Sequence, residues 1–358
     1  MLVLRQDIEE LIERMRAFYT LKKKGAALVQ VKEIKSIEIS AAKPLNQWKF
    51  PQDLYEYLDM SIERLILYWN KRHGINDDLI PAIYPWFGIA EHSAFVGGNV
   101  DFSNDTSWHH PIIQNWDELD NLELREDNFW IRMIIDGLQY LKERSMGRYA
   151  VKLRGGYSPL DLAMTLRGNN IFMDLYDEPE QVHRLLDFCT SAVKWYMDHQ
   201  KAIVGDFCDG VITGMDIWFP GNSMGHLSED ASALCSPGNY REFGMPYTAK
   251  LVKHYEHAFM HTHSLGIHNI PEVASIPGID AIQISNDPNC EPSIEIYKKL
   301  HKEMENKIVV VDIMSIDEIK RNLEFLKQQN AIIWYYAKDL EEAKEAVSLI
   351  RQELPVVL

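Results

Sequence analysis

The chain has 358 residues, of which 46% are hydrophobic and 25% charged, an ordinary composition for a globular protein with a sizeable core. Its net charge is −16, so it has no field that would attract a polyanion, and nucleic acid is not an expected partner. The apolar stretches fall short of the roughly 20 residues that cross a bilayer, and no membrane association is expected. Four scattered cysteines without a CxxC pair, together with a polar N-terminal segment, predict a reducing cytoplasmic location.

Residues 1–75 are mainly helical and charged in pattern, with little strand character. They predict a helical extension packed on a barrel that occupies residues 76–358. From residue 79 onward, strand-like runs alternate with amphipathic helical stretches, which is typical of a parallel sheet wrapped by helices. Seven or eight such units favour a closed α/β barrel over an open sheet. The predicted strands are 79–84, 149–153, 210–214, 258–261, 281–284, 308–311 and 331–334, with an eighth near 94–96.

The most informative pattern is His261-Thr262-His263, which closes the apolar run 258–260. A strand places residues i and i+2 on the same face, so both imidazoles would project together from the strand end. Two such histidines are candidate metal ligands, although the same pattern also occurs at surface or core positions. A catalytic zinc site needs three protein ligands, and Asp216, Asp287, Asp312 or Glu91 could supply the third.

In a parallel barrel the active site lies at the C-terminal ends of the strands. The side chains that follow the predicted strands are therefore candidate site residues, and we expect Arg154, Asp216, His261, His263, Asp287 and Tyr335 to face one cavity. The predicted catalytic residues are Asp216, His261, His263 and Tyr157, and the predicted substrate-binding residues are Tyr84, Arg154, Trp218, Asn286, Asp287, Tyr335 and Tyr336.

Two of these candidates have alternative interpretations. Asp216 could be a buried acid, a carboxylate that orients a histidine, or simply a loop cap. Arg154 could bind a substrate carboxylate in fork geometry, or pair with an acidic neighbour.

Several motifs in a fixed order resemble the uroporphyrinogen decarboxylase superfamily. They are GYSPLD at 156–161, LRG at 166–168, DLYDEPEQVH at 174–183, SPGNYREF at 236–243, HTHSLG at 261–266 and PGIDA at 277–281. The resemblance covers about residues 79–350 and implies a distorted (β/α)8 TIM barrel. It also implies one of two chemistries. One branch decarboxylates uroporphyrinogen without a cofactor, and the other moves a methyl group from a corrinoid to a thiol, using zinc.

The chain departs from both branches. The aspartate that decarboxylases carry after the first strand is replaced by the segment Tyr84-Pro85-Trp86-Phe87, and their arginine-rich N-terminal motif is missing from residues 1–60. The methyltransferase branch has a His-x-Cys pair where His261 and His263 stand, and a later cysteine where Tyr335-Tyr336 stand. The expectation is a methyltransferase with zinc at His261 and His263 and a corrinoid as methyl carrier.

The alternatives are a decarboxylase and a non-catalytic ligand-binding barrel. The expected partners of the methyltransferase are a small-molecule substrate and a corrinoid protein, and assembly as a homodimer stays open.

Overall fold

The computed structural model describes residues 2–21 and 24–357. The strands are β1 Ala27–Ile34, β2 Ala82–Ile83, β3 Val100–Phe102, β4 Ser107–His109, β5 Ala150–Val151, β6 Gly156–Tyr157, β7 Gly210–Ile212, β8 Trp218–Pro220, β9 Ser223–Ser228, β10 His257–His263, β11 Ile279–Ser285, β12 Ile308–Ile313 and β13 Asn330–Ala337. The helices are α1 Ile8–Thr20, α2 Leu54–Lys71, α3 Glu91–Ala94, α4 Phe129–Ser145, α5 Pro159–Arg167, α6 Ile171–Asp177, α7 Pro179–Val204, α8 Pro237–Asn239, α9 Met245–Val252, α10 Ile270–Ser275, α11 Ser293–Lys299, α12 Ile316–Leu326 and α13 Leu340–Glu353. None of the described helices is long and apolar enough to cross a membrane.

Seven strands form one sheet in the order β1-β13-β12-β11-β10-β9-β6, and all of its neighbouring strands are parallel. Helices connect most of these strands, as parallel pairing requires. The predicted α/β class is therefore confirmed.

Backbone hydrogen bonds extend this sheet through the short parallel pair β2–β5. At one side, the Asp78 N–H donates to the Val29 oxygen of β1. Within the pair, the Lys152 N–H donates to the Ile83 oxygen over 3.0 Å, and just beyond β5 the Leu153 N–H donates to the Ile212 oxygen of β7 over 3.0 Å. The chain from β5 enters β6 within a few residues, so these short strands lie between β1 and β6, the two edges of the seven-stranded sheet, as in a distorted (β/α)8 barrel.

The side chains of the strands alternate between two cores. The outer core lies between sheet and helices and includes Val29, Val31, Ile333 and Tyr335. The inner core fills the barrel and includes residues from five of its strands and from α1: Leu28, Ala82, Phe259, Val310, Ile332, Leu11, Ile12, Met15 and Phe18. Helix α1 thus closes the N-terminal end of the barrel, and the C-terminal end is left for the polar side chains.

Three expectations about the strands need correction. Residues 27–34 form a full strand, so residues 1–75 contribute β1 to the barrel as well as helices, although the boundary at residue 75 stays a prediction. Residues 94–96 are not a strand, because α3 ends there. Strand β9 was not predicted at all. Both missed strands carry polar residues on their inner faces, such as Lys32 and His226, which breaks the apolar pattern that marks a barrel strand.

Candidate active site

His261 and His263 lie at the end of β10, and Asp230 follows the end of β9 beside them. One ligand atom from each of the three residues lies within 4.8 Å of the other two. The Oδ1 atom of Asp230 is 3.4 Å from Nε2 of His263 and 3.9 Å from Nε2 of His261. This Asp230 oxygen is buried and has no hydrogen-bond partner among the described residues. A buried oxygen without a partner is costly, and a cation between the three residues would satisfy it.

Asp230, His261 and His263 are called the histidine cluster below. The Nδ1 atoms of the two imidazole rings are held by residues outside this cluster. Nδ1 of His261 contacts Oε1 of Gln283, and Nδ1 of His263 is 2.7 Å from Oδ1 of Asp287. Both contacts have the imidazole N–H donating from Nδ1, which leaves Nε2 of a neutral ring as an acceptor that faces Asp230. Two hydrogen-bond acceptors, the Nε2 atom of a neutral ring and the carboxylate oxygen of Asp230, repel each other at this distance unless a cation lies between them. Metal-binding histidines commonly have this arrangement, with the second nitrogen fixed by a carboxylate or carbonyl oxygen.

Burial lowers the pKa of His261, although the nearby Asp230 carboxylate opposes this effect. The ring is therefore held in its neutral form, which is the form that binds metals. Asp287 is also fixed. Burial raises the pKa of its carboxyl group. Hydrogen bonds from the Leu265 N–H, His263 and the Ser264 hydroxyl outweigh this effect and lower the pKa below its usual value.

A second group of residues positions Asp230. The carboxylate of Asp161 accepts the backbone N–H groups of Asp230 over 2.9 Å and Ala231 over 2.7 Å. The neighbouring Glu229 is fully buried and accepts hydroxyl hydrogen bonds from Ser158, Tyr240 and Thr248. Burial raises the pKa of Glu229 to about 7. Two buried carboxyl groups therefore fix the backbone from which Asp230 projects.

The residues present fit a divalent transition metal. Two imidazole nitrogens and one carboxylate oxygen form the donor set of a catalytic zinc site, in which a fourth position is left for a substrate or water. The Nδ1 atoms of both rings are held by Gln283 and Asp287, which orients the Nε2 atoms towards Asp230.

Across the barrel mouth, Asp216 lies between two lysines. The ammonium of Lys32 contacts one carboxylate oxygen of Asp216, and the ammonium of Lys152 contacts the other. Burial opposes ionisation of Asp216, but the two lysines outweigh it and lower the pKa of this residue to about 2. Asp216 is thus a permanent anion at neutral pH. It is not the buried acid with a raised pKa that we considered from the sequence.

A row of hydrogen-bonded side chains runs from His261 along the mouth to Tyr336. Gln283, which holds His261, also directs its Nε2 atom at Oδ2 of Asp312 over 3.4 Å. The other oxygen of Asp312 accepts the Tyr336 hydroxyl over 2.9 Å. Burial raises the pKa of Asp312, against the opposing hydrogen bonds from Tyr336 and Gln283 and the weaker effects of Lys32 and His261.

Arg154 and Tyr84 form the wall beside the lysines. Arg154 is buried and paired with Glu91, so of its two alternatives the structure supports the ion pair with an acidic neighbour. Its guanidinium lies 5.1 Å from the ring centroid of Tyr84 and 4.4 Å from that of Trp86. Burial raises the pKa of Glu91 to about 7, against the attraction of Arg154.

Three predicted substrate-binding residues lie elsewhere. Trp218 is buried in the inner core, where its indole N–H donates to the Phe207 oxygen. Asn286 accepts the Ser293 N–H at the start of α11. Tyr335 faces the outer core and donates to Glu342 of α13, so the expectation that it shares a cavity with the histidines is wrong. Strand alternation explains the last case, because Tyr336, one residue on, faces inward.

Tyr157 borders a cleft that reaches Asp230 from the side. The cleft has a volume of about 280 Å³ and is lined in part by Tyr157, Asp230, Met164 and the exposed ring of Trp108. Burial raises the pKa of Tyr157, so its hydroxyl stays protonated at neutral pH. A catalytic role for Tyr157 stays a prediction.

Sequence reasoning did not find Asp230 as the third member of the histidine cluster. The four acids we considered are engaged elsewhere: Asp216 with lysines, Glu91 with Arg154, Asp312 with Tyr336, and Asp287 behind His263. Asp230 was missed because β9 was missed. The acidic pair Glu229-Asp230 directly before Ala231 was the available signal.

The chain matches the family model of uroporphyrinogen decarboxylase (URO-D) over residues 82–311. It belongs to the uroporphyrinogen decarboxylase family. Among solved structures it is similar to a methyltransferase from Methanosarcina mazei, with 14% sequence identity and a TM-score of 0.62, covering 96% of this chain and 98% of that one. At this identity the likeness shows the fold alone. A comparison with curated proteins found no match.

Proposed function

We propose that this chain is a metal-dependent methyltransferase of the uroporphyrinogen decarboxylase family, which transfers a methyl group from a corrinoid to a small thiol. The observation that carries the proposal is the cluster of Asp230, His261 and His263 at the barrel mouth. Membership in a family of enzymes and the likeness to a methyltransferase structure support it. The methyl donor, the thiol and any corrinoid protein partner are parts of the proposal.

Asp230, His261 and His263 would hold the metal, with zinc as the best match to their nitrogen and oxygen donors. A bound zinc ion would supply Lewis acidity, which lowers the pKa of a thiol so that it reacts as the thiolate. The protein's own residues do the positioning. Gln283 and Asp287 fix the two rings, and Asp161 fixes the backbone of Asp230.

The same mouth is poorly suited to a substrate with many carboxylates. Of its cations, Arg154 is paired with Glu91, and the lysines at positions 32 and 152 share Asp216. Few positive charges are left to compensate several buried carboxylates of one substrate. This favours methyl transfer over decarboxylation of uroporphyrinogen.

The test measures zinc affinity and methyl transfer on the same purified protein. Metal-free protein is titrated with zinc, and the zinc-loaded protein is then incubated with methylcobalamin and 2-mercaptoethanol. We expect His261→Ala to lower zinc affinity by more than about 100-fold and to abolish methyl transfer, since it removes a direct ligand. The matched control is His257→Ala, because His257 lies on the same strand at the opposite end of the barrel and pairs with Asp280.

Two results would contradict the proposal. One is equal zinc affinity in the wild type and in His261→Ala. The other is production of coproporphyrinogen from uroporphyrinogen by a wild type that leaves the thiol unmethylated, which would assign the chain to the decarboxylase branch.

A further inference from the structure

The two lysines at the barrel mouth have more hydrogen-bonding capacity than the protein uses. Two ammonium groups offer six N–H donors. Within residues 2–21 and 24–357 their contacts use three: Lys32 donates to Asp216 and to the Met215 oxygen, and Lys152 donates to Asp216. Of the side-chain surface, 17% is exposed in Lys32 and 9% in Lys152, so both ammonium groups are mostly but not fully shielded from solvent.

The positive charge of Lys32 and Lys152 is also only half balanced by the single negative charge of Asp216. One carboxylate stands between two cations, and the nearby oxygens of Asp312 are engaged by Tyr336 and Gln283 and contact neither lysine. Partly buried like charges destabilise each other unless an anion compensates them. The aromatic faces of Trp334, 5.0 Å from Lys32, and Tyr84, 4.8 Å from Lys152, enclose the ammonium groups but carry no charge.

The backbone at Asp216 is held by side-chain hydrogen bonds. Asp216 has a φ of +68°, in the left-handed region that aspartate adopts more readily than most non-glycine residues. Its carbonyl accepts the Gln30 side chain over 2.6 Å, and Gln30 in turn accepts the Trp334 indole N–H over 2.9 Å. These inner-face residues of β1 and β13 hold Asp216 between the lysines.

We propose that Lys32 and Lys152 form a binding subsite for a substrate carboxylate, which would balance the positive charge that the single carboxylate of Asp216 leaves over. The lysines already hold both oxygens of Asp216, so their separation suits this ligand. The inference deepens the proposed function, on which its role in catalysis rests: the substrate is a small acid whose other end reaches the histidine cluster along Gln283 and Asp312.

Substitutions of Asp216 and of the lysines should change the affinity for a carboxylate in opposite directions. Replacing a lysine removes a cation and weakens carboxylate binding. Replacing Asp216 by asparagine removes the competing internal anion and frees lysine donors, so it strengthens carboxylate binding. Mere damage to the fold would weaken binding in both cases.

The experiment is calorimetric titration of the metal-free protein with propionate, and with 1-propanol as the uncharged control. We expect propionate to bind with a dissociation constant on the order of 1 mM and 1-propanol to give no saturable signal. Lys152→Met and Lys32→Met should each weaken propionate binding by about tenfold or more, because each loses a charged hydrogen bond. Lys338→Met, at an exposed lysine just beyond β13, should change nothing. Asp216→Asn should tighten binding several-fold.

Failure of this inference is distinguishable from failure of the proposed function, because propionate binding is measured without metal or methyl donor. No saturable propionate binding by the folded wild type would overturn the subsite, and so would Asp216→Asn binding more weakly than wild type. Lys152→Arg guards against misfolding of the methionine variants, since it keeps the charge and should retain binding. In methyl transfer, 3-mercaptopropionate should have a lower KM than 3-mercaptopropanol, and Lys152→Met should remove that difference.

Discussion

The two ends of the barrel differ in what their inward-facing residues do. On β10 the inner face reads Phe259, His261 and His263 from the N-terminal to the C-terminal end. On β1 it reads Leu28, Gln30 and Lys32. The apolar end packs on α1 and stabilises the fold, whereas the polar end holds an aspartate with a positive φ and, within the described residues, unused lysine donors and a carboxylate oxygen without a partner. Substitutions at the two ends should therefore separate stability from binding.

The largest loss of stability is expected at the N-terminal end of the barrel, which α1 closes. Phe18 of α1 is 2% exposed within the inner core, and Phe18→Ala would leave a cavity there. We expect the free energy of unfolding to fall by about 3–5 kcal/mol, with zinc affinity unchanged in the protein that remains folded. Urea denaturation and zinc titration measure the two quantities. The control is Glu10→Ala on the exposed face of the same helix, and a large loss of zinc affinity in Phe18→Ala would show that the two ends are coupled.

At the mouth, we expect a substitution to lower zinc affinity more than stability. Asp287 holds His263 from behind without being part of the cluster itself. We expect Asp287→Ala to weaken zinc binding by about 10- to 100-fold, because the ring loses its fixed orientation. Asp287→Asn, which can still accept the Nδ1 hydrogen bond, should recover most of the affinity. If both variants bind zinc like the wild type, Asp287 has no part in positioning the metal ligand.

The same division explains what could be predicted from sequence. At the apolar end, strand residues such as Phe259 and Ile332 belong to uninterrupted apolar runs, and these strands were found. Strand β9 was missed, because Gly225 and His226 interrupt its pattern, and with it Asp230 was lost from the site. The partners of Asp216 were also hidden, since Lys32 lies in a segment that we interpreted as helical.

An intermediate effect, on the pH dependence of stability, is expected from His226 of β9. His226 is fully buried, and burial lowers its pKa well below the usual value of 6.5. The native state therefore keeps this ring neutral, while the unfolded chain takes up a proton below about pH 6.5. The contribution of His226 to stability is complete above that pH and is lost as the pH falls towards the folded-state pKa.

From pH 7.5 to 5.5 this loss is at most about 1.4 kcal/mol, the limit set by the unfolded-state pKa of about 6.5. Glu91 and Glu229, whose pKa values are raised to about 7 by burial, act in the opposite direction, so only a difference between variants isolates the histidine. The free energy of unfolding of wild type should fall more over this range than that of His226→Gln, by up to about 1.4 kcal/mol. Equal changes in the two proteins would mean that the pKa of His226 is the same in the native and in the unfolded protein.

The smallest effect compares two adjacent tyrosines on β13. Tyr335 donates to Glu342 in the outer core, and Tyr336 donates to Asp312 at the mouth. Removal of either hydroxyl should cost about 1 kcal/mol of stability, since each loses one hydrogen bond to a carboxylate. Only Tyr336→Phe should also alter propionate binding, because it releases Asp312, which then competes for Lys32. Urea denaturation and calorimetric titration of Tyr335→Phe and Tyr336→Phe test this difference. A change of propionate affinity in Tyr335→Phe would mean that the outer face of the strand also acts on the site.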